Sequence, residues 1–481
     1  MKGQNYIAGE WLNSTETIEN RNPSDTSDII GHYAQANTEQ LCQAVAAARK
    51  AQPQWAETGL EKRQAVLNAI GVELMSRAAE LGELLSREEG KPRNEGVGEV
   101  FRAGQFFSYY AAEVLRQLGE NANSVRPNIE IDVRREPVGI VAVISPWNFP
   151  LATACWKIAP ALAFGNAVVW KPANLTPAVA VEFAAIIAKQ DIPLGVFNLT
   201  MGGGTVIGRA LAQHPDIDAI SFTGSLETGK IIAQDAARNL TKLQMEMGSK
   251  NPLVVMDDAD MNIAVSCATA GAYGGTGQKC TASSRLIVHS KVHDEFVEKM
   301  AIAATNLKVG HALEKDTQIG PAVSETQLLA NLDYLQLAQK EGAQHIFGGE
   351  QLTLETDGYY LSPALFTGSN NLMRINREEM FAPIACVIAV DSYEEALAAA
   401  NDTEYGLIAG IITRSLSRAT HFRQHSKTGC VTVNLPTAGT DYHVPFGGRK
   451  KSSYGAREQG RIAAEFYTAV KTAYTYAGLP D

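Results

Sequence analysis

The sequence predicts an α/β protein built from two parallel-sheet units, and three observations carry that prediction. The segment Val138-Gly139-Ile140-Val141-Ala142-Val143-Ile144 is an apolar, β-branched run, the form taken by a strand buried on both faces. Beyond it, short strand-like runs alternate with helical patterns, as parallel βαβ units do. The chain has 481 residues, 45% of them hydrophobic, which is long for a single core and favours two or three packed domains.

Taken in order, the first ~35 residues place turn formers (Asn13, Ser14, Asn22, Pro23, Ser24, Asp25) between short apolar alternations and read as an edge hairpin. Thr38 is positioned to cap a helix with Leu41, Val45 and Ala48 on its apolar face. A longer helical pattern runs from Glu61 through Leu67, Ile70, Leu74, Leu81, Leu84 and Leu85, and stops at Gly90-Lys91-Pro92. After the 138–144 strand come Ala167-Val168-Val169-Trp170 before a helix near Val179 to Lys189, Val196-Phe197-Asn198-Leu199 before one starting by the Gly202 cluster, and Ala219-Ile220-Ser221-Phe222 before one from Ser225. A second series includes Leu253-Val254-Val255-Met256, Arg285-Leu286-Ile287-Val288, Cys386-Val387-Ile388-Ala389-Val390 and Cys430-Val431-Thr432-Val433. The boundary between the units falls near residue 250. The segment 464–476 alternates at period two like an edge strand, which needs a partner, usually another subunit.

Composition narrows the function. Forty-two Lys and Arg against 52 Asp and Glu leave a net charge of −10 without a cationic cluster, which disfavours nucleic acid. No apolar run approaches the ~20 residues that span a bilayer, and the N-terminal stretch lacks a signal-type apolar region, so a soluble cytoplasmic protein with no membrane partner is expected. Six cysteines without CxxC or His at ligand spacing read as free thiols in a reducing compartment, most of them apolar filler, and not as a metal site.

Ligands of parallel sheets bind at the carboxyl ends of the strands. Two glycine-containing turns lie there. Met201-Gly202-Gly203-Gly204-Thr205-Val206-Ile207-Gly208 is not GxGxxG and reads equally as a plain tight turn. Phe222-Thr223-Gly224-Ser225, with Gly229, repeats the arrangement one unit later, and two such turns together favour a nucleotide lying across both. Lys171-Pro172 puts a cation at another strand end, for a ribose hydroxyl, a 2′-phosphate or simply water.

Cys280, in Gly274-Gly275-Thr276-Gly277-Gln278-Lys279-Cys280-Thr281-Ala282, has glycines before it and Lys279 beside it, and a neighbouring cation favours thiolate; buried inert cysteine is the competing reading. A nucleophilic thiol needs an oxyanion donor and a base for water. Asn148, in Pro146-Trp147-Asn148-Phe149-Pro150, can be that donor or a turn former. Glu246, in an apolar surround, can be that base or a strand-end carboxylate facing water.

Together, Pro146-Trp147-Asn148-Phe149-Pro150, Lys171-Pro172, Phe222-Thr223-Gly224-Ser225, Glu246-Met247-Gly248, Gly277-Gln278-Lys279-Cys280, Glu379-Met380-Phe381-Ala382-Pro383 and Pro445-Phe446-Gly447-Gly448 resemble, in order, the aldehyde dehydrogenase superfamily. The resemblance implies a Rossmann-type NAD(P)-binding domain (1–120 and 140–250), an α/β catalytic domain (251–435) and a small β oligomerisation arm (121–139 and 460–481), assembled as a homodimer or homotetramer. It implies Cys280 as nucleophile, Asn148 with the Cys280 N–H as oxyanion hole, Glu246 as general base and Lys157 as a supporting lysine. For the cofactor it implies Trp147, Lys171, Ala173, Asn174, Gly204, Gly208, Phe222, Gly224, Ser225, Glu379 and Phe381. For substrate it implies Phe149, Trp156, Thr281 and Phe446, with no metal. The reaction implied is oxidation of an aldehyde to a carboxylic acid through a cysteine thiohemiacetal and thioester.

Three departures stand out. Ser249 replaces a glycine of the family's Glu-Leu-Gly-Gly-Lys, and Ala382 replaces the glycine of its Glu-Glu-Ile-Phe-Gly-Pro. Asn174 stands where NAD-preferring members often carry a carboxylate, which removes repulsion against a 2′-phosphate and favours NADP over NAD. The segments 276–285 and 446–460 look most like the 2-oxoglutarate semialdehyde (2,5-dioxopentanoate) dehydrogenases. An acidic substrate needs a cation, and Arg102, helped by Gln105, is the candidate; an ordinary surface arginine is the alternative. Succinate semialdehyde or another short semialdehyde is the rival substrate. A catalytically silent oligomeric scaffold and a thiol hydrolase that transfers no hydride are the rival functions.

Overall fold

The computed structural model describes residues 3–116 and 119–478; residues 1–2 and 117–118 of the expected cofactor segment and 479–481 of the expected arm lie outside the described residues. Two large sheets organise the chain. The first runs, in space, Ser453–Tyr454, Lys242–Glu246, Ala219–Thr223, Ile140–Ile144, Ala167–Lys171, Phe197–Leu199, Asn5–Ile7 and Glu10–Leu12. Its five middle strands are parallel, whereas the N-terminal hairpin and the two-residue strand Ser453–Tyr454 are added antiparallel at opposite edges.

Strand Ile140–Ile144 shows why the apolar run is continuous. Val141 and Val143 enter one hydrophobic layer with Trp55, Leu67 and Phe183, while Ile140, Ala142 and Ile144 enter another with Leu41, Val45 and Ile220. Side chains alternate across a strand, so a sheet covered on both faces needs apolar residues at every position. The second sheet repeats the device: Leu253 and Val255 face one layer, Val254 and Met256 the other. Its strands run Gln344–Gly348, Ala364–Thr367, Ile384–Val390, Arg285–His289, Pro252–Val255, Ile408–Ile412 and Cys430–Val433, all parallel except the first.

Four local expectations are corrected. The first helix, Thr38–Glu57, is capped by Asn37, which forms a capping box with Gln40, so Thr38 is already helical. The 61–85 pattern is two helices, Leu60–Ser76 and Ala78–Glu89, broken at Arg77; the second ends, as expected, at a left-handed Gly90 with φ +97°. Residues 464–467 are a helical turn, and only Thr468–Tyr476 forms a strand, paired with Ile129–Pro137, which in turn pairs with Gly119–Asn123. Of the cysteines, only Cys155, Cys267 and Cys386 are buried; Cys42 is exposed, and Cys280 and Cys430 are intermediate.

Candidate active site

The carboxyl ends of the parallel strands of the first sheet converge on one region. Ile144 lies beside Lys171 and Phe222, and Thr223 beside Glu246, so the loops carrying Asn148, Lys171, Ser225 and Glu246 emerge together. Facing them from the second unit is the turn 274–282. Gly275, Thr276 and Gly277 all have φ near +60°, and a Cβ on Gly277 would strike the Ala382 carbonyl, so this sharp approach demands glycine there.

Cys280 stands in the wall between two cavities. One, of about 340 Å³, is bounded by Trp147, Asn148, Thr223, Ser225, Glu246, Glu379 and Phe381. The other, of about 520 Å³, is bounded by Arg102, Phe106, Lys279, Thr281 and the loop 436–440. Phe149, Trp156 and Phe446 line both. Burial, with Glu379 and Glu246 nearby, pushes the thiol up to about 12, and its own backbone N–H pulls the other way. The expected help from Lys279 is absent: its ammonium pairs with Glu95 at 3.1 Å.

The Asn148 amide is buried and gives one N–H to the Gln278 carbonyl at 2.9 Å, leaving its second donor for a ligand. Glu246 ends its strand inside the protein. Its Oε2 accepts the Ser453 hydroxyl at 2.6 Å, and its Oε1 is buried with no partner among the described residues. Burial and the Glu458 carboxylate hold this carboxyl well above its ordinary range, opposed by Ser453, Lys157 and Arg457. Lys157 lines neither cavity. It is fully buried behind them, ion-paired to Glu458 and donating to Ser221 at 3.0 Å. Its influence on the site is electrostatic, through Glu246.

The residues present suit a dinucleotide. Lys171 is buried, its ammonium donates among the described residues only to the Pro172 carbonyl at 2.9 Å, and it is pushed down to about 8 by burial. Asn174 Oδ1 and Thr223 Oγ1 are buried without partners among the described residues. A Cβ on Gly203 or Gly204 would meet nothing within 4 Å, and Gly208 abuts the Lys171 stem, so the glycine turn leaves open space beside that cation. Ser225 caps the helix Leu226–Ala236, whose N-terminus opens on the first cavity. Glu379 accepts the Ser249 N–H at 2.9 Å and is pushed up to about 7 by burial. Phe381, at φ +58°, meets Trp147 edge-on with ring centroids 5.5 Å apart.

Three predicted residues sit outside this picture. Phe222 belongs to the hydrophobic core, its ring packed under Gly224. Gln105 is half-buried and not part of either cavity wall, and Ala173 starts the turn that follows Pro172, its carbonyl accepting the Thr176 N–H at 3.4 Å. Arg102 does reach the second cavity, its guanidinium 5.3 Å from the Tyr442 ring centre. Sequence reasoning missed Ser453 and Glu458. They lie in the segment 446–460 that was read whole, with no spacing rule to single out a partner for a base 207 residues earlier. Among the described residues, no group of three or more His, Cys, Asp and Glu side chains is placed to hold a metal, and no helix is long and apolar enough to cross a membrane.

Comparison with known proteins places this geometry. The aldehyde dehydrogenase family profile matches residues 11–473. The chain is similar to the alpha-ketoglutaric semialdehyde dehydrogenase of Bacillus subtilis, 40% identical over 98% of this chain and 97% of that one. It is likewise similar to the 2,5-dioxopentanoate dehydrogenase of Saccharolobus solfataricus, 35% identical over 98% and 99%. Among solved structures, betaine aldehyde dehydrogenase of Staphylococcus aureus in complex with NAD+ superposes with a TM-score of 0.97 at 32% identity, covering 100% of this chain and 96% of that one. These matches overturn the silent-scaffold and hydride-free hydrolase readings, because whole-length likeness to named dehydrogenases at this identity carries the oxidoreductase function with the fold. The chain belongs to the aldehyde dehydrogenase family and is an NAD(P)-dependent enzyme that oxidises an aldehyde to a carboxylic acid.

Proposed function

We propose that the chain oxidises 2-oxoglutarate semialdehyde to 2-oxoglutarate, with Cys280 as nucleophile. The observation that carries this reading is the place of Cys280 between two cavities, one walled by Asn148, Glu246 and Glu379 and the other by Arg102. The Cys280 thiol gives its proton to Glu246, which shares its cavity and passes the proton on to solvent, the sulfur adds to the aldehyde carbon, and the free N–H of Asn148 with the Cys280 N–H takes the charge that develops on oxygen. The oxidised nicotinamide, when bound, supplies the hydride acceptor. Lys171, Glu379 and the Ser225 helix terminus hold the dinucleotide, and Trp147 and Phe381 flank its place. Glu246 then removes a proton from the water that cleaves the thioester, for which a raised pKa matches base strength to the task.

The substrate assignment rests on Arg102, a cation stacked on Tyr442 and without an ion-pair partner among the described residues, and on the two relatives whose names carry this aldehyde. Succinate semialdehyde, with the same terminal carboxylate, is the rival. Lys171 together with Asn174 in place of a carboxylate favours NADP. The sheet formed by Gly119–Asn123, Ile129–Pro137 and Thr468–Tyr476 is mostly exposed, with Val470, Tyr474 and Tyr476 each more than half accessible, and it is the surface by which copies of the chain pair in the cytoplasm.

The test is a panel of short semialdehydes with both cofactors, repeated on Arg102→Ala. A charge-assisted contact is worth about 1.5–3 kcal/mol, or roughly 10- to 150-fold in kcat/KM. That loss is expected for the oxo acid and not for a neutral aldehyde of equal length. Equal losses for both refute the assignment of Arg102.

A further inference from the structure

Behind Asn148 lies a set of buried charges that the reaction does not touch. Lys91, just past the left-handed Gly90, is 3% exposed. Its ammonium donates to the Asn148 main-chain carbonyl at 2.5 Å and to Glu99 Oε2 at 2.8 Å. It lies 3.8 Å from Glu89 and 4.1 Å from the centre of the Phe149 ring. The other oxygen of Glu99 accepts the N–H groups of Leu151 and Ala152, at 3.0 and 3.1 Å, where helix Ala152–Ala163 begins. One buried ion pair therefore grips the oxyanion loop at two points. Four residues before Glu99 on the same helix, Arg93–Glu113, Glu95 accepts the Gly275 N–H at 3.0 Å and pairs with Lys279, holding the nucleophile turn from the same side.

For stability alone, apolar side chains would serve as well as a buried ion pair, since desolvating both charges offsets their attraction. Directed donors fixing a main-chain carbonyl are what apolar packing cannot supply. An oxyanion donor must also be held within about 0.5 Å of its productive position. We propose that Lys91, itself held by Glu99, is a positioning residue that fixes the Asn148 main chain and so keeps the Asn148 amide aimed at the substrate oxygen. The proposal rests on the assignment of Asn148 as an oxyanion donor.

The experiment follows acylation of Cys280 by an activated phenyl ester, which needs no hydride acceptor, in Lys91→Met, in Asn148→Ala and in both together. Loss of one oxyanion donor costs roughly 100-fold or more, and partial misplacement of it is expected to cost roughly 10-fold. Lys91→Met should therefore slow acylation roughly 10-fold in the parent and less than about twofold once Asn148 is alanine, because the two act through one interaction. An equal loss in both backgrounds shows a merely structural lysine and overturns the proposal. Should Asn148→Ala leave acylation at the parent rate, the assignment of Asn148 falls first and the role of Lys91 falls with it. Should Lys91→Met fail to fold, Lys91→Met/Glu99→Gln removes both charges of the pair and is read in the same cycle, where parent-level acylation refutes the role.

Discussion

Replacing Ser453 by alanine tests how the base is tuned. The Ser453 hydroxyl donates to Glu246 Oε2 at 2.6 Å while accepting the Gly448 N–H at 2.6 Å, so its proton has one direction to point. Burial and Glu458 push the Glu246 carboxyl up, and the Ser453 bond is the largest influence pulling it back. A short hydrogen bond to a buried carboxylate contributes about 1.5–3 kcal/mol, so its loss raises the base further and leaves roughly 10- to 150-fold fewer molecules ionised on the acid side. A base with a higher pKa is ionised in fewer molecules at neutral pH, so thioester hydrolysis slows there and recovers at alkaline pH. The assay is single-turnover decay of the acyl-enzyme between about pH 6 and 10. The expected outcome is an acid limb displaced upward, with decay on that limb slowed roughly 10- to 150-fold and the alkaline plateau within about threefold of the parent. Ser453→Thr, which keeps the hydroxyl, should leave the limb in place. An unmoved limb in Ser453→Ala, or a loss uniform in pH, would show that the serine does not set the base.

Gly248→Ala places a Cβ 2.6 Å from Glu379 Oε2 and 3.2 Å from the Tyr405 ring, so Glu379 must swing aside. Dinucleotide affinity, followed by fluorescence titration, should fall about tenfold while ester hydrolysis stays within about twofold. Lys157→Met strands the Glu458 carboxylate inside the protein at a cost of about 3–5 kcal/mol, read as a lower thermal midpoint, and adding Glu458→Gln should recover most of it. Lys171, pushed down to about 8, is charged below that pH and neutral above it. The affinity for NADP relative to NAD, measured by titration, should therefore decline as pH rises through about 8, and a constant ratio would remove Lys171 from 2′-phosphate recognition.

Period and composition made the sheets legible, because a strand covered on both faces must be apolar and Ile140–Ile144, Ile384–Val390 and, up to its terminal Lys171, Ala167–Lys171 are. The break at Arg77 was not legible, since the apolar positions continue across it in both helices. Nor was residue 464 onward, where Phe466 and Tyr467 turn into the core from a helical turn, although their spacing also fits a strand. At the site, Cys280, Asn148 and Glu246 stood out by residue type and by neighbouring glycine or apolar context. Their supports did not: Lys91, Glu99, Ser453 and Glu458 act over long sequence separations, and charge in a linear sequence carries no information on who will face it. Lys279 shows the converse error, a cation adjacent in the chain but committed to Glu95 in space.

The two-residue strand Ser453–Tyr454 gives the enzyme a built-in order of assembly. Met245 and Glu246 find their edge partners in residues made more than two hundred positions later. A nascent chain emerging from the ribosome thus displays its thiol, its amide and its carboxylate well before the last of these is tuned. The base is the one member of the three whose environment is completed only when nearly the whole polypeptide has been made.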